Sequence, residues 1–177
     1  MQDMSQDKTT LRILESAKSA FLQNGFQGAS LKDICHHAGI TTGALYHRFS
    51  GKGDLYKAVV EPDSMKLLEM LNTSPAGAEQ SIMPKSCLMF VYLHLDVFKI
   101  VVRSKCTPYN SKFYSAIEEI VYLRLLKSNY AEYICRLLSK SYLASFFEII
   151  RCDCNFETAQ KCIEILENFF VPQEIYC

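Results

Sequence analysis

Ser30-Leu-Lys-Asp-Ile-Cys-His-His-Ala-Gly-Ile-Thr-Thr-Gly-Ala-Leu-Tyr-His-Arg-Phe49 is the stretch that decides the fold. Ser30 has the chemistry of an N-cap, an oxygen that accepts an orphan N–H of a first helical turn. Leu31 to about His37 follow as a short helix. Gly39 breaks it, because glycine enters the left-handed region without Cβ strain. Thr41 then caps a second short helix, Thr42 to about Arg48. Two short helices joined by Ala38-Gly39-Ile40 make a helix-turn-helix. Cys35 lies where the helices approach and must be small. Ile34, Ala38, Ile40 and Leu45 are expected to meet in a small core that fixes the angle between them.

Working outward, the preceding helix is expected over about Thr9–Asn24, with Leu11, Leu14, Ala17 and Phe21 as its apolar stripe. Gly25 stops it, and Phe26 seals the underside of the motif. A fourth helix begins near Lys52. Gly51 and Gly53 predict a weak start for it, and Pro62 is expected to end or kink it. Residues 73–84 (TSPAGAEQSIMP) read as a linker. Beyond lie apolar, helix-like stretches at about 85–104, 111–128, 130–151 and 156–170. In the first of these, Asp96, Lys99 and Arg103 form one polar stripe, although Leu93–Val97 also alternates as a strand would. Residues 106–110 and 152–155 read as turns. The fold class is therefore all-α: an N-terminal three-helix domain carrying the helix-turn-helix, then an all-helical domain. The boundary is expected at 8–57 and 58–177.

The second helix of the motif opens with small residues, Thr41, Thr42, Gly43 and Ala44. Such residues let a backbone approach base edges in a major groove, and threonine can bond an edge or touch a thymine methyl. Tyr46, His47 and Arg48 follow, long enough to reach phosphates on the groove walls. Lys52 and the helix end beside it offer positive charge for another phosphate. Ser30 completes the DNA-facing set.

Taken in order, Phe21…Gly25-Phe26, Ser30-Leu-Lys-Asp-Ile, Ala38-Gly39-Ile40-Thr41-Thr42-Gly43-Ala44-Leu45-Tyr46-His47-Arg48-Phe49, Lys52 and Leu55-Tyr56 resemble the signature of the tetracycline-repressor (TetR) family. The resemblance covers roughly the first third of the chain. It implies phosphate contacts from Thr41, Tyr46, His47 and Lys52, and base contacts from Thr42, Gly43 and their neighbours. The departures are Cys35 for a usual Ala, Arg48 for a frequent His, Gly51 for a usual Ser and Gly53 for a common acid. The later run Tyr142…Phe146-Phe147-Glu148-Ile149-Ile150-Arg151 and Glu157…Leu166…Phe169-Phe170 is similar to the family's helical regulatory domains. There the resemblance implies that the last two long helices pair with their twofold mates. It places Tyr142, Phe146, Ile149, Ile163, Leu166 and Phe170 at a dimer interface. The preceding helices would enclose a ligand cavity, with Phe90, Phe98, Phe113 and Tyr122 as candidate lining among aromatics that otherwise serve as core.

Bulk properties set limits. The chain has 177 residues, 49% hydrophobic and 21% charged, with a formal net charge of zero. That is a globular composition, not a disordered one. Residues up to Lys57 carry seven Lys/Arg against five acids, and three of the four histidines. The excess is mild but of the sign that phosphate binding needs. Eight cysteines at irregular spacing and a polar, leaderless start predict reduced thiols in a cytoplasmic protein. The apolar run Cys87–Val102 is too short and too charged to span a membrane.

No nucleophile elbow, phosphate loop or metal-ligand spacing is present, so neither an enzyme nor a cofactor or metal is expected. His36 and His37 point about 100° apart on a helix, which disfavours joint chelation. Cys152, Cys154 and Cys162 lack a paired Cys-x-x-Cys knuckle, and Glu118-Glu119 reads as a solvated face. The expected function is a homodimeric repressor of transcription. It would sit on a near-palindromic duplex operator and be released by a small apolar or amphipathic inducer. Two alternatives stand beside it: a DNA-binding regulator without a small-molecule ligand, whose second domain serves protein interaction, and a cysteine-based redox-responsive regulator.

Overall fold

The structure, a computed structural model, describes residues 2–73, 81–104, 107–128 and 130–170, with side chains from residue 8 onward. The central part of the expected linker, residues 74–80, lies outside the described residues. Among those described there are nine helices and no strand: α1 (Gln2–Gly28), α2 (Leu31–Ala38), α3 (Thr42–Tyr46), α4 (Lys52–Thr73), α5 (Lys85–Leu93), α6 (Leu95–Arg103), α7 (Pro108–Leu125), α8 (Glu132–Arg151) and α9 (Phe156–Phe170). They gather into two compact units. One holds the chain up to Ser64 together with Asp96–Asn110, and the other holds Met65–Leu95 and the chain from Ser111 onward.

In the first unit, α1 is interrupted at Gly25, whose φ of 66° and ψ of 176° leave the helical region. The buried face of α1 is Ile13, Ala17 and Phe21, a strict i, i+4, i+8 row. The expected stripe included Leu11 and Leu14 instead, but Leu11 is 59% exposed and Leu14 only half-buried. Both rows share Ala17 and Phe21, so spacing alone cannot choose between them. Phe21, Phe26 and Tyr56 form a three-ring cluster. Phe26 and Phe21 stand edge-on to Tyr56 at 5.1 and 5.3 Å, a favoured arrangement for ring quadrupoles.

α6 belongs to this unit from Asp96 onward and buries Val97, Phe98, Ile100, Val101 and Val102. Its polar stripe faces α1: Lys18 pairs with Asp96 at 3.5 Å, and Arg103 donates to the Leu22 carbonyl at 3.2 Å. Asn110 ties the start of α7 to its neighbours. Its amide donates to the carbonyls of Val101 and Ser104, and its Oδ1 accepts from the Tyr56 hydroxyl at 3.0 Å. Burial raises the pKa of that hydroxyl.

Four expectations need correction. α4 runs through Pro62 to Thr73. Its buried positions Val60, Ser64, Leu67 and Leu71 keep helical spacing across the proline, and that packing outweighs one missing backbone bond. The start of α4 is held despite its glycines, because Asp54 reaches back to accept from the Ser50 N–H at 3.1 Å and Leu55 N–H bonds to Gly51. The stretch 85–104 is two helices, not one, broken at His94 (φ −116°, ψ 31°). The strand-like alternation of Leu93–Val97 falls on that helix junction. Pro108 opens α7 rather than lying in a turn. Thr107 Oγ1 accepts from the Asn110 N–H at 3.1 Å, and proline suits a first helical position.

In the second unit, α8 and α9 pack together, and α5 packs on α9. A polar knot fastens residues 81–83 between them. The Glu167 carboxylate accepts from Ser81 Oγ (2.9 Å), the Met83 N–H (2.7 Å) and the Tyr142 hydroxyl (3.2 Å). Arg124 donates to the carbonyls of Ser81 and Ile82, both at 3.0 Å, and to that of Leu71.

Candidate nucleic-acid interface

The expected caps are in place. Ser30 Oγ accepts from the Asp33 N–H at 3.4 Å, and Thr41 Oγ1 from the Ala44 N–H at 3.2 Å. Gly39 closes α2 with φ 62° and ψ 42°. Ile34, Cys35, Ala38 and Leu45 are buried as expected, and Phe49 joins them. Ile40 is only half-buried. Ser16 Oγ donates to the Ile34 carbonyl at 2.9 Å, fixing α2 against α1.

What this scaffold leaves outside is the leading end of α3. Thr41, Thr42 and Gly43 are exposed and Ala44 half-exposed, while Leu45 is fully buried and anchors the helix from behind. Tyr46 is 56% exposed and His47 is exposed beside it. α3 is shorter than expected, ending at Tyr46, but His47, Arg48 and Phe49 continue as a turn bonded to Gly43 and Leu45. Arg48 folds back, its Nη1 donating to the Ala44 carbonyl at 3.1 Å. Lys52 also has protein partners: Nζ donates to the carbonyls of Gln27 and Ala29, both at 3.0 Å, and lies 5.1 Å above the Phe26 ring. Thr41–Ala44, Tyr46 and His47 thus lie on one short segment, exposed except for half-buried Ala44, whereas Ser30 is half-buried at the start of α2. Arg48 and Lys52 flank the segment with their charges partly engaged.

His36 and His37 are exposed, their rings edge to face at 5.6 Å, and His37 Nδ1 lies 2.7 Å from the Asp33 carbonyl. Among the described residues no group of three His, Cys, Asp or Glu side chains is placed to hold a metal ion. Six cysteines lie among the described residues: Cys35, Cys87 and Cys135 buried, Cys154 and Cys162 half-buried, Cys152 exposed. The other two lie outside the described residues.

The candidate ligand-lining set is divided. Phe98 packs in the first unit, whereas Phe90, Phe113 and Tyr122 belong to the second. Phe113 and Tyr122 are buried and Phe90 is half-buried, its ring 4.5 Å from that of His94. Tyr122 donates to Glu132 at 2.9 Å under the Arg136 guanidinium. The candidate dimer set is divided as well. Tyr142, Phe146 and Ile163 are buried within the chain, and Tyr142 packs on Phe170 and bonds to Glu167 of α9. Ile149, Leu166 and Phe170 are half-buried. Sequence reasoning missed the exposed positions of these helices: Tyr133, Leu137, Ile165 and Phe169, the last at 79% exposure. Helical spacing fixes which residues share a face but not which face is covered.

All-helical among the described residues, with a capped helix-turn-helix and an exposed leading end of small residues, the fold defines the class of helix-turn-helix proteins. Comparison with known proteins agrees. Residues 13–59 match the family of bacterial regulatory proteins described as the tetR family. The regulator UidR of Escherichia coli strain K12 is 42% identical over 60 residues, 34% of this chain and 31% of that protein. The aligned stretch thus spans less than a third of that relative's length. A transcriptional regulator from Aquifex aeolicus has the same fold, with a TM-score of 0.65 and 22% identity over 91% of this chain and 99% of that one. SmeT, the repressor of the Stenotrophomonas maltophilia multidrug efflux pump SmeDEF, gives 0.68 and 17% over 96% and 95%. Residues 13–59 thus match the tetR family, and the fold over most of the chain is that of these solved structures.

Proposed function

We propose that this protein is a sequence-specific DNA-binding regulator of transcription, a homodimeric repressor released by a small apolar or amphipathic molecule. The observation that carries the reading is the exposed row Thr41–Ala44, Tyr46 and His47 on a segment anchored from behind by Leu45 and Phe49. Thr42 and Gly43 meet base edges; Thr41, Tyr46 and His47 meet phosphate oxygens. Lys52 has used two of its three N–H donors and keeps one for a phosphate. Two subunits place two such segments about one helical turn apart, roughly 34 Å or a multiple, on a near-palindromic site. The homodimer forms through the exposed apolar positions of α8 and α9, Leu137, Ile165 and Phe169. The inducer enters the second unit near Phe90, Phe113 and Tyr122. It must favour the released state by a few kcal/mol, and coupling of about 1–3 kcal/mol is usual.

Nuclease footprinting of purified protein on the DNA upstream of its own gene tests the reading. Protection of a near-palindrome, lifted by an added small molecule, is the expected result. No protected site at any protein concentration sinks the DNA reading. Protection that no compound relieves leaves a regulator without an inducer.

A further inference from the structure

We infer that Arg12 is the positioning residue of the recognition segment: from α1, its guanidinium clasps the left-handed turn between α2 and α3 and so sets the angle at which α3 is presented. The inference rests on the DNA-binding reading above. Arg12 Nη2 donates to the carbonyl of Ala38 and, at 3.5 Å, to that of Gly39. A helix leaves its last carbonyls without intrahelical partners, and a cation there also meets the negative end of the helix dipole. The N–H groups of this turn bond one step earlier: Gly39 to His36 at 3.1 Å and Ile40 to Cys35 at 3.0 Å. The carbonyls at 38 and 39 therefore face Arg12.

Gly39 is the complement of the clasp. Its φ of 62° suits glycine, and a Cβ there would stand 2.6 Å from Arg12 Nη2. A side chain at 39 would push the guanidinium off the carbonyls it holds. Only Gly39, Ile40 and Thr41 separate α2 from α3. With a connection that short, a change of backbone angles at 39 rotates all five residues of α3 together. Arg12 is itself exposed, so a direct contact with DNA phosphate is the rival role, and salt dependence separates the two.

The experiment uses the full chain and two duplexes, the footprinted operator and an unrelated sequence, across a salt series. Arg12→Ala should weaken operator binding roughly ten- to hundredfold, the scale of one lost charged hydrogen bond. Binding to the unrelated duplex should change by less than about twofold, with the salt slope intact. In melting experiments Gly39→Ala should cost less in the Arg12→Ala background than in the wild type, because no guanidinium remains to displace. Arg12→Met, which keeps the aliphatic stem without donors, replaces Arg12→Ala if that variant does not fold. Unchanged operator affinity overturns the inference. So does an equal loss on both duplexes with the slope reduced by about 0.9, the mark of a phosphate contact. Strict additivity of the Arg12 and Gly39 effects also overturns it. Wild-type protein that binds neither duplex sinks the DNA reading instead, while the melting cycle still tests the clasp.

Discussion

Thr42 and Tyr46 are both exposed on α3, yet truncating them should have different consequences. Thr42 stands among small residues at the leading end, where on the proposed reading a side chain meets a base edge. Thr42→Ala should relax preference at one base pair by about 1–3 kcal/mol while leaving unrelated DNA bound as before. Selection of binding sites from a randomised pool checks this. On the same proposed reading Tyr46 meets phosphate through its hydroxyl. Tyr46→Ala should weaken every duplex alike and leave the salt slope alone, since no cation is lost. Lys52 pairs an observed role with a proposed one. Lys52→Ala deprives the Gln27 and Ala29 carbonyls of their shared donor, so the melting temperature should fall, and the salt slope should drop by about 0.9. A lower melting temperature with an unchanged slope would leave Lys52 a structural clasp only. Locality explains which of these roles the sequence disclosed. Ser30, Gly39 and Thr41 act on atoms within four residues of themselves, so their chemistry was readable. Arg12 and Lys52 act on carbonyls 23 to 27 residues away, and no local pattern announces such a partner.

Elements whose ends carry a stop or a cap were legible for the same reason. Gly25, Ser30 and Gly39 marked boundaries that the structure keeps. The break at His94 has neither glycine nor proline beside it and shows only in the packing: α5 buries 87, 88 and 91, and α6 buries 97, 98 and 100–102. Pro62 erred the other way, a local stop overruled by tertiary contacts. Glu167 is a third case, an acid on α9 whose value depends on Ser81, Met83 and Tyr142. Burial is the largest influence and raises its pKa above the ordinary 4.5, against the lowering effect of its hydrogen bonds. The folded form then binds a proton that the unfolded chain has already lost. Stability therefore falls as pH rises from about 4.5, the unfolded value, towards the raised folded value, and the loss is complete above it. Glu167→Gln keeps an acceptor oxygen for all three donors without the charge. It should flatten that part of the stability profile, measured by denaturant unfolding from pH 4 to 7. An unchanged slope in the variant would show that Glu167 is not the group responsible.

At the scale of the molecule, the exposed faces of α8 and α9 are where the proposed dimer would hold its two recognition segments in register. Leu137 is 66% exposed, Ile165 57% and Phe169 79%, large apolar side chains that a monomer would leave in water. Fully burying one such side chain is worth about 1.5–3 kcal/mol, and a twofold interface counts each residue on both subunits. A charge at the same position carries a desolvation cost on both subunits as well. Phe169→Asp should therefore shift the protein to monomer at micromolar concentration, read by light scattering after gel filtration. The interior pair Tyr142 and Phe146 should behave differently: their truncation opens a cavity inside one subunit and costs about 3–5 kcal/mol of folding stability for phenylalanine. The monomeric Phe169→Asp protein retains an intact α3, so its binding to a single half-site should match that of the wild type. Its binding to the full operator should lose the gain from linking two sites, commonly a hundredfold or more. If Phe169→Asp stays dimeric and binds the operator unchanged, the subunits meet through another face, and the spacing of the two recognition segments has to be derived from that face instead.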